Sequence, residues 1–103
     1  MSISVLILTF NEELNLSRCL DAVAWSDDVV VLDSYSSDAT LEIARRFNAR
    51  IYMRHFDDER SHREAALKLP FKYEWVFNPD ADEVTTPELA REMLSSIRNQ
   101  DQV

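Results

Sequence analysis

Four short apolar runs alternate with four stretches of helical periodicity along 103 residues, with no linker, repeat or low-complexity stretch between them. Strands each followed by a helix build an α/β layer structure on a mainly parallel sheet, with right-handed crossovers. Residues 3–9 read as a strand apolar enough to be buried on both faces. Further strands are expected at residues 29–32, ending at Asp33, at 49–53 and at 73–77.

The helices have their own signals. Asn11 can cap the first, with Glu12 and Glu13 at the positive end of its dipole and Leu16, Leu20 and Val23 on its inner face. The second is expected to start near Ser37 or Asp38, to bury Leu41, Ala44 and Phe47, and to stop at Asn48. Residues 58–69 form a third, opened by the solvated acidic run Asp57 to Glu59, with His62, Ala65, Ala66 and Leu69 on one face and Pro70 closing it. Thr86, Pro87 and Glu88 make a well-formed start for the fourth, which carries Leu89, Met93 and Ile97 inward and leaves a frayed tail over residues 99–103.

Composition narrows the function. With 46% hydrophobic and 29% charged residues the chain suits one small soluble domain over residues 1–103, and a net charge of −8 argues against nucleic acid or an anionic membrane as partner. No apolar run approaches the roughly 20 residues that span a bilayer, and the opening lacks a basic n-region, so a cytoplasmic place is expected, peripheral to the inner membrane at most. Cys19 is the sole cysteine, which excludes an internal disulfide or a cysteine-rich zinc site and suits a small hydrophobe on a helix face. Glycine is absent. Walker and dinucleotide-binding loops need glycine for tight turns and close backbone approach, so those nucleotide-binding readings lose their support.

Right-handed crossovers place three polar clusters at the carboxyl ends of the strands, where open α/β sheets bind ligands. Thr9, Phe10, Asn11 and Glu12 follow the first strand; Asp33, Ser34, Ser36 and Asp38 follow the second; Asp80 and Asp82 follow the fourth. Continued as a strand, residues two apart project to one side with Cα atoms roughly 6–7 Å apart, close enough for Asp80 and Asp82 to share one divalent ion. Mg²⁺ or Mn²⁺ held by one or two carboxylates completes its shell with water and substrate phosphate. The other conspicuous residues have plainer readings: His55 and His62 as satisfied structural histidines, Trp25 and Trp75 as packing anchors.

Three blocks in this order strongly resemble the family 2 glycosyltransferases: residues 5–16, Val-Leu-Ile-Leu-Thr-Phe-Asn-Glu-Glu-Leu-Asn-Leu; residues 25–40, Trp-Ser-Asp-Asp-Val-Val-Val-Leu-Asp-Ser-Tyr-Ser-Ser-Asp-Ala-Thr; and Asp80-Ala-Asp-Glu83. The Trp-x-Asp-Asp approach to the second block resembles the bacterial branch related to lipopolysaccharide-core glucosyltransferases. The resemblance implies the Rossmann-like, amino-terminal half of a GT-A fold, binding a nucleotide-sugar, usually a UDP-sugar, for inverting transfer to a cell-envelope glycan or lipid-linked acceptor. Thr9 and Glu12 would line the nucleoside pocket, joined by Phe10, Asn11 and Ser36. Asp33 would accept a hydrogen bond from the base, Asp80 would lie near ribose and metal, and Asp82 would coordinate Mn²⁺ or Mg²⁺ on the diphosphate. Arg63 resembles an arginine that approaches the nucleotide, although Glu64 replaces the asparagine that follows it in the family. Tyr35 and Ala39 stand where the family often carries glycine, which implies a looser second loop. The family's general base belongs to a carboxyl-terminal half that the chain is expected to lack.

Two other classes fit less of the sequence. A receiver-like signalling domain would use Glu12, Glu13 and Asp33 as an acidic phosphoacceptor pocket, though on the second strand instead of the third. A non-catalytic remnant or interaction module would self-associate through an exposed sheet edge.

Overall fold

The computed structural model describes the backbone of residues 3–101 and the side chains of residues 3–97. Its elements run β1 (Ile3–Thr9), α1 (Leu16–Ala22), β2 (Val29–Asp33), α2 (Thr40–Arg46), β3 (Arg50–Met53), α3 (Glu59–Leu67), β4 (Trp75–Phe77) and α4 (Pro87–Asp101). The strands form one sheet in the order β3-β2-β1-β4, and every pair is parallel. The α/β alternation thus gives the expected parallel sheet, of the Rossmann-like kind found in GT-A folds.

Alternation along β1 divides the core into two layers. Val5 and Ile7 pack with Leu16, Cys19, Leu20 and Val23 of the α1 segment and with Ile43 and Ala44 of α2. Leu6 turns the other way, against Val30, Leu32 and Ala66 of α3, with Leu8 at the margin. Burying such a Leu or Ile side chain is worth roughly 1.5–3 kcal/mol, which explains why the central strand is apolar on both faces.

Several boundaries differ from expectation. β4 is three residues, starting at Trp75 and not at residue 73, because the backbone N–H groups of Lys72 and Tyr73 are taken by Asp28 and Ser4. α2 begins at Thr40 and buries Thr40, Ile43 and Ala44, whereas Phe47 is more exposed at its end. Asn48 does stop α2: at φ 60 it donates to the Arg45 carbonyl while Ala49 donates to that of Ala44, the paired bonds of a Schellman motif. Asp58 caps α3 by accepting from the Ser61 N–H at 2.8 Å. α4 continues through Asp101, past the expected start of fraying, and residues 102–103 lie outside the described residues. Trp75, expected as a packing anchor, is half-exposed beside the α4 residues Leu89 and Met93.

The amino ends of the strands are locked by one carboxylate. Asp28 accepts from Ser4 Oγ at 2.5 Å, from Arg50 Nη2 at 2.7 Å and from the Lys72 N–H at 2.7 Å, tying β1, β2, β3 and the approach to β4 together. Asp27 beside it accepts from Lys72 Nζ and Tyr73 Oη. The Trp-x-Asp-Asp block is therefore an architectural knot at the end of the sheet opposite the three polar loops.

Candidate active site

The sheet order creates the site. The chain steps outward from β1 to β2 to β3 and then returns to the other side of β1 with β4, so the β1–β4 crevice is a topological switch point at the strands' carboxyl ends. Thr9, Phe10 and Glu12 on one side and Asp80 on the other line a cleft of about 680 Å³ there, walled by His55, Phe56, His62 and Arg63. A smaller hollow of about 310 Å³ adjoins it and is lined by Glu12, Arg63, Asn78, Asp80 and Asp82.

The first two loops are stitched to each other instead of capping helices. Asn11 lies at φ 52; its N–H donates to Ser36 Oγ at 2.8 Å and its Oδ1 accepts from the Ser37 N–H at 2.8 Å. The Glu12 N–H donates to Thr40 Oγ1 at 2.8 Å, and Glu13 Oε1 accepts from the Ala39 N–H at 3.0 Å. These bonds delay α1 to Leu16 and leave no acid in its first turn, which overturns the cap and dipole roles read for Asn11, Glu12 and Glu13. Asp38 closes a local turn, accepting from the Thr40 N–H at 2.9 Å, while the N-cap position of α2 is Ala39, which has no side-chain cap bond.

The second loop is not loosened by the missing glycines. Tyr35 itself takes the left-handed conformation, φ 62, while Ala39 has an ordinary φ of −81. Asp33 fastens the loop from within: fully buried, it accepts from Thr9 Oγ1 at 2.6 Å, Ser36 Oγ at 2.6 Å and the Ser36 N–H at 2.7 Å. A carboxylate offers about four acceptor sites, so these three bonds leave about one for a further donor.

Asp80 and Asp82 are set by a turn, not by strand pleating, because β4 ends at Phe77. The Glu83 N–H donates to the Asp80 carbonyl at 3.0 Å, and Glu83 Oε1 accepts from the Asp80 N–H at 2.6 Å. Both aspartates are exposed and line the smaller hollow. Their charge is felt by their neighbours. Burial, then Asp82 and Asp38, push the Glu12 carboxyl above its ordinary value. Burial, then the charges of Glu83, Asp82, Glu12 and Asp80, lift the Cys19 thiol to about 11. Cys19 is otherwise the buried small hydrophobe expected, its Sγ 3.5 Å from the Asp80 carbonyl.

Among the described residues, no three His, Cys, Asp or Glu side chains gather closely enough to hold a metal by themselves. Two carboxylates and an adjacent acid with raised proton affinity still suit a hard divalent ion that takes its remaining ligands from water and phosphate.

Arg63 projects into this acidic region from α3 and makes no ion pair among the described residues; its Nη1 lies 3.3 Å from the Asn78 side chain, whose amide donates to the Leu6 carbonyl at 2.7 Å. His55, exposed on the cleft, stacks on Tyr35 with ring centroids 3.9 Å apart. His62 is buried with its Nδ1 paired to Arg54, as expected of a structural histidine in that half of the ring only, and it also lines the cleft. Sequence reading missed these two and Phe56 as wall residues, since no spacing signals the meeting of the β3 end with α3.

Residues 4–103 match the family Glycosyl transferase family 2. The chain belongs to glycosyltransferase family 2. Uncharacterized glycosyltransferases of Rickettsia typhi and Rickettsia conorii are 32% and 33% identical over 102 residues, 96% of this chain. The chain spans 35% and 36% of their lengths, about a third of the curated relatives it matches. S. aureus TarS in complex with UDP-GlcNAc superposes with a TM-score of 0.80 at 26% identity, covering 96% of this chain and 32% of TarS. Glucosyl-3-phosphoglycerate synthase from Mycobacterium tuberculosis, in complex with Mn²⁺, UDP and glucosyl-3-phosphoglycerate, gives 0.60 at 25% identity over 78% of this chain and 33% of that one. The family 2 fold excludes the receiver-like reading, as does the sheet: receivers place β1 between β2 and β3, whereas here β2 lies between β1 and β3. No described helix of this family 2 chain is long and apolar enough to cross a membrane.

Proposed function

We propose that residues 1–103 form a nucleotide-sugar-binding domain that holds a UDP-sugar for inverting transfer to a cell-envelope glycan or lipid acceptor. The observation that carries this is the convergence of Glu12, Arg63, Asp80 and Asp82 on the crevice at the β1–β4 switch point. UDP is supported by the UDP complexes of TarS and the mycobacterial synthase. The acceptor class rests on the resemblance carried by Trp25, Asp27 and Asp28.

Thr9, Phe10, Asn11 and Ser36 shape the nucleoside end, with Asp33 holding their loops and keeping an acceptor site for the base. Arg63 faces the diphosphate, and Asp80 bridges the ribose and phosphate regions. Asp82 and Asp80 would hold Mn²⁺ or Mg²⁺, which would supply positive charge to the departing diphosphate. The acceptor hydroxyl attacks the anomeric carbon from the face opposite the nucleotide, which inverts the configuration and requires a general base.

Calorimetric titration of UDP with and without Mn²⁺, against an Asp82→Ala control, tests the reading. Metal-dependent binding that the variant loses is expected. Equal binding with and without metal, or in both proteins, would sink the metal assignment, and no binding by the folded chain would sink the donor site. Thermal stability of Asp82→Ala without metal should stay within about 0.5 kcal/mol of the parent, as for other surface substitutions.

A further inference from the structure

One polar atom of the cleft has no part in that donor reading. Arg54 Nη1 lies 3.0 Å from His62 Nδ1. A guanidinium only donates, so Nδ1 accepts and the hydrogen of the neutral ring sits on Nε2. Arg54 is held for this task by Asp57, through Nη1 at 2.9 Å and Nη2 at 3.2 Å. A doubly protonated ring would set two donors face to face. Burial first, and the Arg54 charge second, keep the His62 pKa below its ordinary value, with Asp57 pulling the other way.

His62 is 4% exposed and lines the larger cavity. Among the described residues, Trp25 Nε1 is the sole fully enclosed side-chain nitrogen or oxygen without a partner. Nε2 has no protein partner among them either and is not fully enclosed, which leaves the cavity that His62 lines for it to face. Its surroundings indicate what it meets there. Phe56 stands edge-on to the ring with centroids 5.3 Å apart, and His55 continues the wall as half of the Tyr35 stack. Asp82 lines only the smaller hollow. A planar base suits the aromatic end, and a cation with diphosphate suits the acidic one.

Resting on the donor-site reading, we propose that His62 reads the nucleobase: its Nε2–H donates to the base's C4 carbonyl, so the cleft favours a 4-keto base such as uracil over a 4-amino base such as cytosine. An amino group there would oppose one donor to another and leave both unpaired in a desolvated site, where polar recognition discriminates most strongly. Arg54 is the positioning residue that fixes the tautomer.

UDP and CDP, each with Mn²⁺, are titrated into the parent chain, His62→Ala and His62→Gln. The parent should prefer UDP by roughly tenfold or more, His62→Ala should lower that ratio by about threefold or more with Asp33 keeping the rest, and His62→Gln, which keeps a donor, should restore part of it. UDP binding without preference in the parent, or with the preference intact in folded His62→Ala, overturns this proposal while the donor site stands. No binding of either nucleotide to the parent overturns both. If His62→Ala does not fold, imidazole nitrogen NMR of the parent decides. An Nε2–H tautomer whose proton moves with UDP and not with CDP is expected; an Nδ1–H tautomer, or no difference between the nucleotides, refutes the reading.

Discussion

Asp80 and Glu83 hold each other at both ends of one turn: the Glu83 N–H donates to the Asp80 carbonyl, and Glu83 Oε1 accepts from the Asp80 N–H. The carboxylate that completes this clasp is neither of the two expected to meet the metal. Glu83→Ala should leave Asp80 and Asp82 in place chemically but unfasten the turn that aims them. Metal-dependent UDP affinity is expected to fall roughly 3–10-fold, the cost of one charge-assisted hydrogen bond at an exposed site, with Glu83→Gln recovering most of it. Identical affinities for parent and Glu83→Ala by calorimetry would show that the turn needs no clasp.

Two carboxyls should give stability opposite dependences on pH. Burial opposes ionisation of Asp28, but hydrogen bonds from Ser4, Lys72 and Arg50 outweigh it and lower its pKa below 3.8. Between the folded value and 3.8 the unfolded chain binds more protons, so this contribution is full above 3.8 and is lost as pH falls. Glu12 is raised above 4.5, so the native state binds more protons there and stability declines as pH rises through that window. Melting temperature against pH should therefore lose part of its acid-side slope in Asp28→Asn and part of its decline above 4.5 in Glu12→Gln. Slopes that match the parent in both variants would contradict these assignments.

Tyr35 occupies a left-handed backbone position, φ 62, without being glycine. A β-branched residue tolerates that conformation worst, so Tyr35→Val should be at least about 1 kcal/mol less stable than Tyr35→Gly in urea denaturation. Glycine loses the His55 stack and gains unfolded-state entropy, which offsets its conformational advantage over tyrosine. Equal stabilities for Val and Gly would mean that the loop relaxes away from this conformation at no cost.

Local pattern determined the element types. The two-residue alternation of β1, the repeat of Leu16, Leu20 and Val23, the stop at Asn48 and the Thr86-Pro87 start depend on neighbours within a few residues, so they can be read along the chain. The polar clusters after β1, β2 and β4 were legible for the same reason, once right-handed crossovers put them at one edge of the sheet.

Only the tertiary structure decided what those clusters do to one another. Asn11 is as good a helix cap as any asparagine until Ser36 and Ser37 arrive from a different loop. Asp28 is one more surface acid until Ser4, Arg50 and Lys72 converge on it. The short β4 replaced a strand pleat with a turn under Asp80 and Asp82, and the packing of α3 against the β3 end turned a neutral histidine toward the cleft. Each of these rests on hydrogen bonds between residues distant in sequence or on the place where pairing stops. Such partners compete on nearly equal terms in an unfolded chain, and strand order alone selects among them.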